Sequence, residues 1–228
     1  MSLRRTKWTV GSCTGRGDLA ASLTMMFPVF FVYEVGVVFV GRVNGADVVT
    51  RALYAALGGR TGYVIAHTAI AVIFLTWIWR DRRTNALRFE IVAPVVGEAA
   101  IYAITLGTVV APLLRNGLGL AIGGNTLISA CGAGVHEELV FRLGLCSAMV
   151  MAFRGAAARA TVVAFAFIVS SLLFAAAHHV GSDGESFALP TFAFRTIAGM
   201  VFAAVFWFRS LAHAVYAHTL YDLVVAFR

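Results

Sequence analysis

The chain is poor in charge. Of its 228 residues, 13% are charged and 60% are hydrophobic, with a mean hydropathy of +0.85. A soluble domain is usually about 25% charged and about 45–50% apolar, so this balance excludes an ordinary soluble fold and indicates a polytopic membrane protein. Lysine is almost absent. Only Lys7 is present, so the net charge of +7 is carried by arginine. With the basic residues set between apolar runs, that charge fits membrane topology and anionic headgroups, and no nucleic-acid motif accompanies it. The three cysteines, Cys13, Cys131 and Cys146, lack metal-ligand spacing and are too few for a disulfide framework; two lie in apolar segments and read as buried thiols. No cleavable leader is expected: Arg4, Arg5 and Lys7 open the chain, but the apolar run begins near Leu19 without a small-residue cleavage site. No repeat, low-complexity tract or second domain is visible.

Long apolar runs are what the chain has. A membrane helix needs about 20 apolar residues. The candidate spans are 19–40, 63–79, 91–114, 119–153, 161–178, 191–208 and 210–227. The fourth is too long for one upright helix, and a break at Gly123-Gly124 would make eight segments of seven. The expected fold class is therefore all-α: one polytopic bundle of seven to eight transmembrane helices. It is a single membrane domain over 1–228, with N-terminal spans in 1–118 and a polar-bearing core in 119–228. Residues 47–57 are too short to span and read as an interfacial amphipathic helix with Asp47 as N-cap. Arg4, Arg5, Lys7 and Arg16 precede the first span. Arg80, Arg82, Arg83 and Arg88 follow the second, Arg154 and Arg159 the fourth, and Arg209 the sixth. This alternation predicts a cytoplasmic N-terminus, although Arg42, Arg51 and Arg60 weaken the pattern.

Ionisable groups within spans cost about 2.5–3.5 kcal/mol each on insertion scales and mark function by default. The set selected is Glu34, His67, Glu98, His136, Glu137, Glu138, Arg142, His178, His213, His218 and Asp222. Glu138 and Arg142 are four apart and can pair on one helix face. Glu137 is rotated by about 100° and is left without that partner, as suits a general base. His136-Glu137-Glu138 resembles the start of HExxH, but Val140 occupies the second ligand position, which rules that motif out. His136, after Gly132 and Gly134, is expected near a helix start, as a residue supporting the site from behind or as a spectator. Phe174 lies one turn before His178 and can fix its ring by packing; His179 reads as interfacial. His218 and Asp222 are again four apart, so the carboxylate can accept an imidazole N–H and set the tautomer. His213 lies off that face. The three polar-bearing segments make sense if they converge on one wet site.

The order EELVFR (137–142), FAAAH (174–178) and HTLYD (218–222) resembles the EExxxR, FxxxH and HxxxN/D signature of the CPBP family, the CAAX-protease and bacteriocin-processing (ABI) intramembrane proteins. The likeness covers roughly residue 119 to the end. It implies an intramembrane endopeptidase in which Glu137 and His178 hold and activate a water. Glu138 and Arg142 would form a structural ion pair, and His218, with Asp222, would stabilise the oxyanion. An ionised Asp222 would repel that oxyanion, so Asp222 is expected to orient His218 or to be protonated. No cofactor is expected, although a zinc alternative stays open through Glu137, His178 and His218. GAGVHEELVFR and the stretch near residue 44 are similar to a myxosortase-like branch that removes C-terminal sorting tails. The resemblance further implies a membrane-embedded protein or peptide substrate, no nucleic acid, and a bacterial inner membrane. Two other classes stand beside it: a non-catalytic scaffold or bacteriocin-immunity protein, and a proton-coupled transporter using Glu34, Glu98 and the histidines.

Overall fold

A computed structural model describes residues 19–40, 54–80, 86–110, 126–180 and 185–226. The helices are α1 (Leu19–Val40), α2 (Arg60–Arg80), α3 (Phe89–Val110), α4 (Thr126–Glu137), α5 (Ser147–Ala152), α6 (Arg159–Ala177), α7 (Leu189–Phe208) and α8 (Leu211–Ala226). A π-helical segment, Glu138–Cys146, joins α4 to α5 without a break. The described residues contain no strand, as the apolar runs predict. Among the described residues, five helices are long and apolar enough to cross a membrane: Leu19–Val37, Arg60–Arg80, Phe89–Thr108, Arg159–Ala177 and Leu189–Phe208. The rod from α4 to α5, and α8, pack among them. The expected Gly123-Gly124 break, residues 47–53 of the expected interfacial helix, Cys13, and the bases Arg4, Arg5, Lys7, Arg16, Arg42, Arg51, Arg82 and Arg83 lie outside the described residues.

Packing follows the sequence pattern. Helix α1 buries Met26, Val29, Tyr33 and Val37, residues three or four apart, against Cys131 and Val135 of α4 and Leu211, Ala214 and Val215 of α8. Helix α3 presents Ala99 and Ala103, both fully buried, to Ala217 and Tyr221 of α8 and to Phe202 of α7. Small residues at such contacts let helix backbones come close in an apolar medium, where packing replaces the hydrophobic drive. Two glycines do the same at the centre. Gly134 faces Thr219 and Val215 of α8, and Gly199 faces Ser171 and Phe174 of α6. The outer faces are apolar: Ile65, Ile73 and Trp79 on α2 are 65%, 68% and 76% exposed, the pattern of a lipid-facing helix.

The antiparallel succession sorts the charges. Met25 near the start of α1 contacts Val95 near the start of α3 and Ala212 at the start of α8. The other end of α1 meets the start of α4, with Gly36 against Ile128. Trp207 near the end of α7 packs on Cys146, Val150 and Ala166, and Arg159 lies over its ring. Arg80, Arg88, Arg159 and Arg209 therefore share one end of the bundle. His178, Glu185 and Asp222 lie toward the other.

Two carboxylates without a partner in sequence find one in space. Glu34 pairs with His67 at 2.6 Å, which ties α1 to α2, and His67 stacks on Tyr63 at 3.9 Å. Glu98 accepts from Tyr102 and Arg209 and lies 3.6 Å from His213, whose Nδ1 meets Ser210 at 2.8 Å. This second cluster anchors α3 to the α7–α8 turn at the basic end and takes His213 away from the other histidines.

Candidate active site

Four elements converge: the α4–π junction, the end of α6, the middle of α7 and the middle of α8. Glu138 and Arg142 lie in the π segment, side chains 0% and 1% exposed, with Arg142 Nη1 3.2 Å from Glu138 Oε1. Buried ions persist only when paired and hydrogen-bonded. Here Arg142 Nη2 also donates to the Gly199 carbonyl at 3.3 Å, and its guanidinium lies 4.5 Å from the Phe174 ring centroid. The wider turn of a π-helix disturbs the helical ladder, and such segments gather at functional sites. Ser147 mends part of this ladder, its hydroxyl and its backbone N–H both reaching the Arg142 carbonyl.

His218 is the hinge between the two glutamates. Its Nδ1 lies 2.8 Å from Glu138 Oε1, and its ring stacks on Phe202 at 4.5 Å with a 12° interplanar angle. The partner that orients His218 is thus Glu138, eighty residues away. Asp222, given that role by its spacing, has its Oδ2 3.7 Å from Nε2, beyond hydrogen-bond length. The same geometry adds to the expected task of Glu138: one oxygen serves both Arg142 and His218.

Glu137 sits between two imidazoles. Its Oε1 is 3.9 Å from His178 Nε2, and its Oε2 is 3.7 Å from His218 Nε2. Both gaps exceed a direct hydrogen bond and suit a bridging water. His178 Nδ1 donates to the Phe174 carbonyl at 2.9 Å, which leaves Nε2 as the acceptor facing Glu137. Phe174 also meets the His178 ring edge-on at 5.0 Å. It holds His178 through its carbonyl and its ring, and it is a neighbour of His218 as well, at 5.9 Å. Among the described residues, no three His, Cys, Asp or Glu side chains are grouped to hold a metal ion. The donor set Glu137, His178 and His218 does not form such a group.

His136 is not near a helix start. It lies inside α4, buried, with Nδ1 2.9 Å from the Gly132 carbonyl and its ring edge-to-face with Tyr33 at 4.9 Å. The glycines around it are contact points for Tyr33 and Thr219 rather than a helix boundary. His179 bonds the Glu185 carbonyl at 2.9 Å. Glu185 and Arg195 escaped the sequence reading. Arg195 forks onto Glu185 at 2.8 and 2.6 Å and is near enough to act electrostatically on His178 and Asp222. The signal was present, because an arginine inside the apolar run 191–208 carries the same insertion cost as the residues that were selected.

A helical bundle with membrane-length helices thus brings two adjacent glutamates to face histidines from two other helices, a set of groups able to hold and deprotonate a water. Residues 120–224 match the family model described as type II CAAX prenyl endopeptidase Rce1-like. The match places a CPBP-type domain at residues 120–224. No curated protein and no solved structure matches the chain.

Proposed function

We propose that the protein is a glutamate-dependent intramembrane endopeptidase that hydrolyses a peptide bond with a water held by Glu137 and His178. The observation that carries this reading is the seat of the Glu137 carboxylate, 3.9 and 3.7 Å from the Nε2 atoms of His178 and His218. A water there can give one hydrogen to the carboxylate and the other to His178 Nε2. Glu137 takes the proton as the water oxygen attacks the scissile carbonyl, then returns it to the leaving amine. His218, its Nδ1–H committed to Glu138, would need a second hydrogen on Nε2 to donate to the oxyanion. With Glu138 on one nitrogen and Glu137 and Asp222 within 3.7 Å of the other, that doubly protonated ring is matched to its surroundings. Asp222 faces the same nitrogen at 3.7 Å, beyond hydrogen-bond length, and acts on it only electrostatically. Glu138 and Arg142 keep the frame.

The site lies toward the end of the bundle opposite Arg80, Arg88, Arg159 and Arg209. Under the positive-inside rule, a bacterial inner membrane would hold that basic end, and the N-terminus, in the cytoplasm. The site would then open outward, which suits an exported substrate anchored by a C-terminal tail, as in the myxosortase-like branch. The test is co-expression with a tail-anchored candidate substrate, comparing wild type with Glu137→Ala, with EDTA and 1,10-phenanthroline arms on the purified enzyme. The expected result is processing that Glu137→Ala abolishes and chelators spare. Unchanged processing by the variant overturns the catalytic assignment. Chelator loss restored by zinc overturns the metal-free step.

A further inference from the structure

His178 occupies a weak place in the fold. Helix α6 ends at Ala177, and His178 is its cap residue. The backbone leaves through long or tightened turns, His178 N–H to Ala175 at 3.3 Å and Val180 N–H to Ala177 at 3.4 Å. A side chain on a helix end lacks the following turn that would fix its backbone. What fixes it here is Glu185. The Glu185 N–H donates to the His178 carbonyl at 3.0 Å, and the Glu185 carbonyl accepts from His179 Nδ1 at 2.9 Å. The Glu185 carboxylate takes both arms of the Arg195 guanidinium, at 2.8 and 2.6 Å. Arg195 lies on α7, which is pressed against α6 at Gly199. One residue thus ties the turn that carries His178 to a neighbouring helix by three separate groups.

The pair is better built than a usual surface ion pair. Arg195 is 12% exposed and Glu185 50%, and the contact is bidentate, the geometry that gives direction as well as attraction. Arg195 also holds the Glu185 carboxyl below its usual range, so the pair stays ionised at neutral pH.

We propose that Glu185 and Arg195 are positioning residues that clasp the His178 turn to α7 and so hold the imidazole at one-water distance from Glu137. The proposal rests on the reading of His178 as a water-holding group. A misplacement of about 1 Å can cost on the order of 100-fold in rate, so Glu185→Gln, which keeps the backbone bonds and half of the fork, is expected to lower kcat several-fold. Arg195→Lys and Arg195→Gln are expected to lower it about 10- to 100-fold, with KM little changed. The exchanged pair, Glu185→Arg with Arg195→Glu, is expected to recover most of the loss, because a clasp needs complementary charge and not a particular donor side. The assay is cleavage by purified, monodisperse protein, with His178→Ala alongside. If His178→Ala cleaves like wild type, the catalytic reading itself fails. If His178→Ala is dead while Glu185→Gln and Arg195→Lys match wild type, the clasp alone is wrong. An exchanged pair no better than Arg195→Gln, although folded, also overturns it, and points to the arginine acting by its own charge.

Discussion

Glu138 offers the sharpest test of the frame. Its Oε1 is the ion-pair partner of Arg142 at 3.2 Å and hydrogen-bonds His218 at 2.8 Å, and all three side chains are at most 5% exposed. Glu138→Ala would strand a guanidinium and an imidazole N–H together. Removing one member of a buried ion pair costs about 3–5 kcal/mol, and an orphaned buried donor costs about 1–3 kcal/mol. These overlap, so about 4 kcal/mol is expected, a large part of a typical total stability of about 5–15 kcal/mol. Glu138→Gln keeps an acceptor oxygen and loses only the charge, and should cost about 1–3 kcal/mol. The double variant Glu138→Leu with Arg142→Leu removes both charges, leaving the Gly199 carbonyl and the His218 N–H to be satisfied. It should be less destabilised than the sum of the single changes, by about 0.5–3 kcal/mol of coupling. Reversible unfolding in mixed micelles, read by tryptophan fluorescence, measures wild type, these variants and the Glu138→Leu and Arg142→Leu single changes. A cost below about 1 kcal/mol for Glu138→Ala, or strict additivity in the cycle, would refute the shared-carboxylate frame.

Three further expectations follow from separate contacts. Gly134→Ala would drive a methyl group into the Thr219 hydroxyl and toward the Val215 carbonyl. It should cost about 1–3 kcal/mol by overpacking and lower cleavage by parting α4 from α8; a midpoint unchanged in the same unfolding assay would contradict the close approach. Glu34→Ala should leave His67 without its carboxylate and loosen α2 from α1, seen as faster proteolysis or deuterium exchange confined to residues 60–80; equal exchange in the two proteins would count against the pairing. Glu185 has a folded-state pKa below its unfolded value. Its stabilisation is therefore complete above the unfolded pKa of about 4.3 and is lost as pH falls through the lower folded value. Wild type should lose more stability than Glu185→Gln between pH 6 and pH 3, and parallel pH curves would contradict this.

Much of the site is legible because its logic is local. Glu138 with Arg142, Phe174 with His178, and the separation of Glu137 from the arginine all follow from spacing along one helix. The insertion cost of ionisable groups picks out His218 and Asp222. What spacing does not carry is pairing between distant segments. Glu138 with His218, Glu34 with His67, and Glu98 with Arg209 each join separate helices, and no periodicity records them. The π segment was also hidden, since nothing in the spacing of Glu138–Cys146 marks its wider turn. His136 misled for a related reason: glycines before a polar residue read as a helix boundary, but in a membrane bundle they are also where another helix comes close.

The central claim is that Glu137 activates the attacking water, and single-turnover cleavage by purified Glu137→Gln tests it most directly. Glutamine preserves the shape but takes up no proton from water. General-base catalysis contributes typically about 10²–10⁴-fold, so the variant should be slowed by at least about 10²-fold while binding substrate and unfolding like wild type. A Glu137→Gln protein that cleaves within about tenfold of wild type would contradict the account.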